Sequence, residues 1–393
     1  MYNVSKAYID AINANVRTVG IYVYITLTDG EEITLKDKDI LQRSLYINSR
    51  CVSGNDIELG STYSSELGFS MRYNGNILKL RNATVTPYFA IYCNGIEYPV
   101  PLGKFSVDDI SVNGNYVKLI CLDYMTKFDK KLSLADMDYD VTETSCGLLK
   151  TVNNFVQFCC KKCNAKANYD PDSFANTNSL LAIRMEKDNL LTYRDVLEAA
   201  LQLMGAFAVM GRTGNLEIRK FGNTPVAIST PQNRFKLTSS NLAINALAVC
   251  YKGVATSSSD SVYAIDLSGN KLLEYFDVTQ YNKIHEHLTE INNKSLNGIS
   301  YSPCTIEYMG DPALDVGDMI KVNPIIPSLS QYTYGELEGM TYGELEQLCY
   351  GQLSDYYFGT PYNAIIMQHN WVYRGKSTIY CYGKSAELRK VYV

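Results

Sequence analysis

The sequence holds little with which to do chemistry. Of its 393 residues only three are histidine (His285, His287 and His369) and only one is tryptophan, Trp371. His285 and His287 stand two apart, which on a helix turns them to different faces and excludes a His-x-x-x-His zinc pair. None of the three sits in a recognisable nucleophile motif, so a Ser-His-Asp or Cys-His hydrolase has no seat. A Walker loop and a Gly-x-Gly-x-x-Gly after a strand are both missing, which removes the usual cradles for nucleotides. With a net charge of -5 and no long Lys/Arg block, no specific nucleic-acid partner is expected. Long hydrophobic runs are lacking too. Val19 to Leu27 is strand-length, far short of the ~20 residues of a membrane helix. Met1 to Lys6 has no signal-peptide core, so the expectation is a chain without a transmembrane segment, made and kept in a cytoplasm.

Eleven cysteines are present, scattered except for Cys159, Cys160 and Cys163. Cys160-x-x-Cys163 has no partner pair elsewhere to complete a four-ligand zinc site, and the three cysteines prolong an apolar stripe. They are expected to be reduced thiols packed as small hydrophobes. Asp311, Asp315 and Asp318 lack the Asp-x-Asp-x-Asp-Gly order of a calcium loop. With Pro312 and Gly317 they read as a structural turn, Asp311, Pro312, Gly317 and Asp318, leading into a strand at Met319 to Val322. No catalytic residue, metal ligand or cofactor is expected.

What is abundant is tyrosine, 32 against 12 phenylalanines. Its apolar ring and polar tip suit half-exposed strands and subunit interfaces alike. Strand patterning is widespread. Ile21, Val23, Ile25 and Leu27 alternate with Tyr22, Tyr24 and Thr26, then Asp29-Gly30 turns the chain toward Ile33 and Leu35. Asn94-Gly95 and Asn113-Gly114 punctuate further alternating runs, which predicts antiparallel β-structure. From about residue 133 the period changes. Leu148, Leu149, Val152, Phe155, Val156, Cys159, Cys160 and Cys163 predict one face of a helix. Thr192 with Asp195 predicts the capped start of another, ended by Gly205 and followed by a hairpin. β-patterning returns from about 233.

The fold class expected is α+β and mainly β. Residues 1–132 form a helix and a first antiparallel β-barrel-like domain, residues 133–232 a small α/β domain, and residues 233–393 a second barrel-like domain. Inside the last, Tyr-Gly-x-Leu recurs every eight residues, at Tyr334 to Leu337, Tyr342 to Leu345 and Tyr350 to Leu353. Three short copies are too few for a solenoid and read as an insertion at about 324–360, an interface element.

Three stretches carry a family resemblance. The first runs from Leu45-Tyr46-Ile47-Asn48-Ser49-Arg50-Cys51 through Ile57-Glu58-Leu59-Gly60 and Val100-Pro101-Leu102-Gly103 to Asp123-Tyr124-Met125-Thr126-Lys127-Phe128-Asp129. The second runs from Thr192-Tyr193-Arg194-Asp195-Val196-Leu197 to Gly214-Asn215-Leu216-Glu217-Ile218, and the third is Gly310-Asp311-Pro312-Ala313-Leu314-Asp315-Val316-Gly317-Asp318. In their order and spacing the chain resembles the baseplate and tail hub proteins of long-tailed bacteriophages and phage-like contractile bacteriocins. The resemblance implies a structural virion protein, assembled in the bacterial host cytoplasm as a homotrimeric ring of six barrel-like domains. It implies a tail tube or distal tail protein above, a spike, fibre or tip protein below, and contact with the tape measure protein. Some relatives continue into peptidase, lysozyme-like or fibre regions. This chain ends at Val393, so wall-cutting is expected of another subunit. Two alternatives belong to other classes: a tail-associated peptidase or cell-wall hydrolase, and a glycan-binding tail-tip adhesin.

Overall fold

The fold is taken from a computed structural model, which describes residues 1–14, 16–240, 242–255, 263–276, 280–324 and 360–383. The Tyr-Gly-x-Leu repeat, with Tyr334, Leu337, Tyr342, Leu345, Tyr350 and Leu353, lies outside the described residues.

A short helix, α1 (Lys6–Ile12), is started by the Ser5 side chain accepting from the Tyr8 N–H at 3.2 Å. Eight strands follow: β1 (Thr18–Thr26), β2 (Glu32–Lys36), β3 (Tyr46–Arg50), β4 (Glu66–Arg72), β5 (Thr84–Cys93), β6 (Ile96–Pro101), β7 (Phe105–Asn113) and β8 (Tyr116–Asp123). The alternation in β1 buries Ile21, Val23 and Ile25 and leaves Tyr22 to hydrogen-bond the Tyr92 hydroxyl at 2.8 Å. Asn94 and Gly95 take φ of 51° and 77°, the doubly left-handed turn that the twist of β5 and β6 requires.

The middle of the chain contributes β9 (Tyr139–Asp140), β10 (Ser145–Thr151), α2 (Val152–Lys162), β11 (Ala167–Asn168), β12 (Leu180–Glu186), α3 (Tyr193–Met204), β13 (Phe207–Met210) and β14 (Leu216–Arg219). Here one expectation is corrected. Leu148 and Leu149 do not belong to the helix; they lie on β10, which pairs with β12 over seven residues. Apolar positions of the strand happen to continue in phase with those of α2, so the helical period alone overshoots its start. Thr151 accepts from the Asn154 N–H at 3.2 Å and marks the true cap. Thr192 and Asp195 form the full reciprocal box at the start of α3, and Gly205 caps its end with φ of 65°.

The last third supplies β15 (Pro225–Ser229), β16 (Arg234–Ser239), β17 (Leu247–Tyr251), β18 (Val254–Ala255), β19 (Tyr263–Asp266), α4 (Tyr281–Ile291), β20 (Cys304–Tyr308), β21 (Met319–Val322), β22 (Tyr362–Ile365), β23 (Gln368–Val372) and β24 (Ser377–Cys381). The dominant feature is a 12-stranded sheet in the order β16-β20-β24-β23-β3-β4-β8-β7-β5-β1-β2, with β6 on the side of β5. Every pairing in it is antiparallel. The expected pair of barrels is not what the pairing gives: among the described residues the strand path has two free ends and closes no barrel. The reason is the β23–β3 ladder, in which Trp371 faces Ile47 and Val372 faces Tyr46. It fuses strands from the two ends of the chain into one ribbon.

Two hydrophobic cores result, and each takes residues from both ends of the sequence. Trp371 and Tyr373 enter the core built on β1, β4, β5 and β8, where the Trp371 ring meets Phe89 edge-on at 5.8 Å. Conversely Cys51, Leu59, Met125 and Phe128 pack into the core of the middle and last thirds. Cys159, Cys160 and Cys163 lie there as well, buried and unbridged. Burial pushes the Cys160 thiol up to about 12 and that of Cys163 to about 11, so both stay protonated at neutral pH. No helix among the described residues is long and apolar enough to cross a membrane.

Candidate functional site: a polar junction of three distant segments

The loop between β20 and β21 carries Asp311, Pro312, Gly317 and Asp318, and it sits in the seam between the two cores. Asp311 accepts from the Tyr8 hydroxyl at 2.7 Å and from the Ala313 N–H at 2.9 Å. Burial pushes its carboxyl up, opposed by those hydrogen bonds and by Arg17. The same burial, with the charge of Asp311, pushes the Tyr8 hydroxyl far up, which makes Tyr8 a fixed donor. Arg17 donates to the Gly310 carbonyl at 3.0 Å.

Pro312 lends its carbonyl to Arg212, which is the hub of the seam. One Arg212 nitrogen donates to the Pro101 carbonyl at 2.7 Å. Another donates to the Pro312 carbonyl and to Asp315 Oδ1, each at 2.7 Å. The guanidinium also lies 5.0 Å from the Tyr2 ring centre. On its other side Asp315 faces Arg219 at 3.4 Å, and Arg219 is paired with Glu217. Burial raises the Asp315 carboxyl, but Arg212 and Arg219 outweigh it and hold the group below the ordinary carboxylate range. Asp318 accepts from the Asp315 N–H at 2.8 Å and pairs with the Met1 ammonium at 2.5 Å.

Gly317 is required by both conformation and space. Its φ is 87°, and a Cβ there would stand 2.3 Å from Phe207 Cζ. Its N–H donates to the Ile366 carbonyl at 2.7 Å and its carbonyl accepts from Gly222 at 2.8 Å, so the loop is stitched to two further segments.

A second joint lies along α3. Arg194 donates to the carbonyls of Thr62 and, at 3.0 Å, Met125, and grips Asp129 with two nitrogens. Asp129 is 57% exposed, so that ion pair contributes little; the carbonyl bonds hold the chain. Beside it the buried Asp123 accepts from the N–H groups of Ser65 and Met125 at 2.8 and 3.0 Å. Burial pushes its carboxyl up to about 6.

The three histidines serve packing. Nε2 of the buried His369 bonds the Tyr308 hydroxyl at 2.8 Å, and burial lowers the ring to about 4. His287 Nδ1 meets Asn176 Oδ1 at 2.7 Å, and His285 stacks on Tyr281 at 6.1 Å. Arg17, Arg212 and Arg219 carry no sequence pattern, and Tyr8 reads from its spacing with Val4 and Ile12 only as a helical apolar position. The signal available was proximity: Arg212 lies inside the second family stretch, and Arg219 one residue past its end.

The junction therefore unites the three stretches that carry the family resemblance. No protein-family model matches the chain, and no curated protein does. Solved structures do match. The 43 kDa tail protein of prophage MuSo2 from Shewanella oneidensis is 12% identical, with 94% of this chain and 98% of that one covered at a TM-score of 0.46. Prophage tail protein gp18 from Listeria monocytogenes EGD-e is 12% identical, with 93% and 95% covered at 0.47. A chain of the phage P2 baseplate, in its activated conformation with Ca, is 10% identical, with 94% and 100% covered at 0.33. Its structural neighbours are phage tail proteins.

Proposed function

We propose that the chain is a structural virion protein, the trimeric hub that joins a six-fold tail tube to a three-fold tip, spike or fibre. The observation that carries this reading is the convergence at Arg212. Segments near residues 101, 212 and 315, which are the stretches resembling hub proteins, are tied by one largely shielded guanidinium. A part that transmits load between rings needs such welds, because an isolated module pair would hinge.

In this reading residues 1–132 and 233–393 each present a docking unit and residues 133–232 lie between them. Three copies then offer six units to the tube or distal tail protein above and three-fold contacts to the tip below. The Asp311, Pro312, Gly317 and Asp318 turn acts as internal scaffold. The Tyr-Gly-x-Leu insertion acts as an interface element with another tail subunit.

The symmetry of this chain in an assembled particle is the deciding measurement. Light scattering of the purified assembly should give about three times 44.1 kDa. A stable dimer or hexamer in the particle would sink the hub assignment.

A further inference from the structure

Between the two ends of the chain lies an open cleft of about 530 Å³ whose lining combines cations with apolar rings. Arg17, Arg43, Arg374 and Lys376 supply the charge; Trp371, Phe235 and Met309 supply the apolar surface. Phe235 is 62% exposed and Met309 44%, and both line this one cleft. Arg374 is partly committed to Asp37 and Lys376 to Glu307, each at 2.9 Å, and Arg17 lies within the field of the buried Asp311, so four cations stand against three carboxylates. The Nε of Arg17 is buried without a hydrogen-bond partner. This is the chemistry of a site for an acidic, aromatic-bearing peptide.

The chain itself contains such a peptide. Residues 325–359 hold Glu336, Glu338, Glu344, Glu346 and Asp355 with no lysine or arginine, and so account for the whole formal net charge of -5. The same stretch carries Tyr332, Tyr334, Tyr342, Tyr350, Tyr356 and Tyr357. Its two ends leave the fold side by side, since Val322 pairs with Tyr362. They leave next to the cleft: Arg234 donates to the Asn323 carbonyl at 2.7 Å, and the next residue is Phe235. The first acidic group is twelve residues beyond Pro324, a reach of up to about 40 Å. That reach is enough to span to the same cleft on an adjacent copy.

We infer that the cleft of Arg17, Arg43, Phe235, Trp371, Arg374 and Lys376 is the docking site for residues 325–359 of a second copy of this chain. The inference rests on the multi-copy reading above and adds to it the surface that receives the insertion.

The test places a photo-crosslinking residue, Phe235→benzoylphenylalanine, in the full chain and mixes it with full chain labelled with ¹⁵N. Illumination should give mixed-isotope crosslinks between position 235 and residues 332–356. Their yield should fall at least tenfold with R43E and K376E together, and recover when Glu336, Glu338, Glu344 and Glu346 are changed to Lys in the same chain. Without any charge variant, raising salt from 50 to 500 mM should also reduce the yield, because the contact is between exposed charges. Crosslinks confined to single chains, crosslinks to other segments, or a yield indifferent to salt would overturn the proposal. Light scattering on the same samples separates the two readings: a trimer without these crosslinks refutes the docking site and leaves the hub standing.

Discussion

Arg212 and Asp315, 103 residues apart in sequence, meet at 2.7 Å with both side chains largely shielded from water. Such a pair is a weak contributor as a whole, because desolvation offsets most of the attraction; removing one partner is what costs. R212Q leaves Asp315 to Arg219 at 3.4 Å and the Met1 ammonium at 3.7 Å, and releases the carbonyls of Pro101 and Pro312. It should destabilise the chain by about 1–3 kcal/mol, the cost of leaving shielded acceptors unpaired, read as a lower midpoint in urea. The acid limb should move as well. The Asp315 carboxyl is depressed in the fold, so its contribution is complete above its unfolded value and disappears as pH falls through the lower folded one. In R212Q the carboxyl loses much of that depression, so less stability is lost on acidification and the gap to the parent should narrow as pH falls below the unfolded value near 4.

Asp123 titrates with the opposite sign. Its carboxyl is raised to about 6, so the fold holds the proton more tightly than the unfolded chain does. Stability from this group is complete below the unfolded value near 4 and is lost as pH rises through about 6. D123N cannot titrate and can satisfy only one of the two N–H donors from Ser65 and Met125. At pH 7 it should cost about 1–3 kcal/mol. The difference from the parent should widen between pH 7 and pH 5, measured by thermal melts at each pH.

At Gly317 the expected outcome of G317A is a loss of about 3 kcal/mol or more, from left-handed backbone and the approach to Phe207 together. Adding F207L should recover the part due to crowding and leave the part due to backbone. A double variant no better than G317A would show that backbone strain is the whole effect.

Thiol reactivity tests the cysteine assignment. Cys159, Cys160 and Cys163 should resist alkylation at pH 8 in the folded chain, while Cys93 and Cys250, the half-buried ones among the described cysteines, should react before them. C160A should cost only about 1–2 kcal/mol, the scale of a small cavity. Stoichiometric zinc in the purified protein, lost on changing Cys160 and Cys163, would refute packing as their role.

The single tryptophan reports on the ribbon. Trp371 comes from the last strand pair but packs on Phe89 of β5. Its fluorescence and the far-ultraviolet circular dichroism should therefore report one coincident unfolding transition. W371A should cost about 3–5 kcal/mol. Two separated transitions would mean that the β23–β3 ladder does not couple the ends.

Local structure was legible in the residues because its causes are local. Period-two runs buried Ile21, Val23 and Ile25 on β1, Asn94-Gly95 turned β5 into β6, and Thr192 with Asp195 opened α3. The helical period misplaced Leu148 and Leu149, since an apolar strand abutting a helix mimics one more turn of it. The turn at Asp311 to Asp318 was visible as proline, glycine and aspartate chemistry, but its partners Tyr8, Arg17 and Arg212 were not. By itself the sequence determined the strands, their hairpins, the helix caps and the thiols that prolong an apolar stripe. Only the tertiary structure decided that β23 pairs with β3, that Trp371 enters the N-terminal core, and that Arg212 bridges residues 101, 312 and 315. Strand edges carry the same N–H and C=O groups whatever their sequence, and a buried arginine looks like any surface arginine until its carbonyl partners are in place.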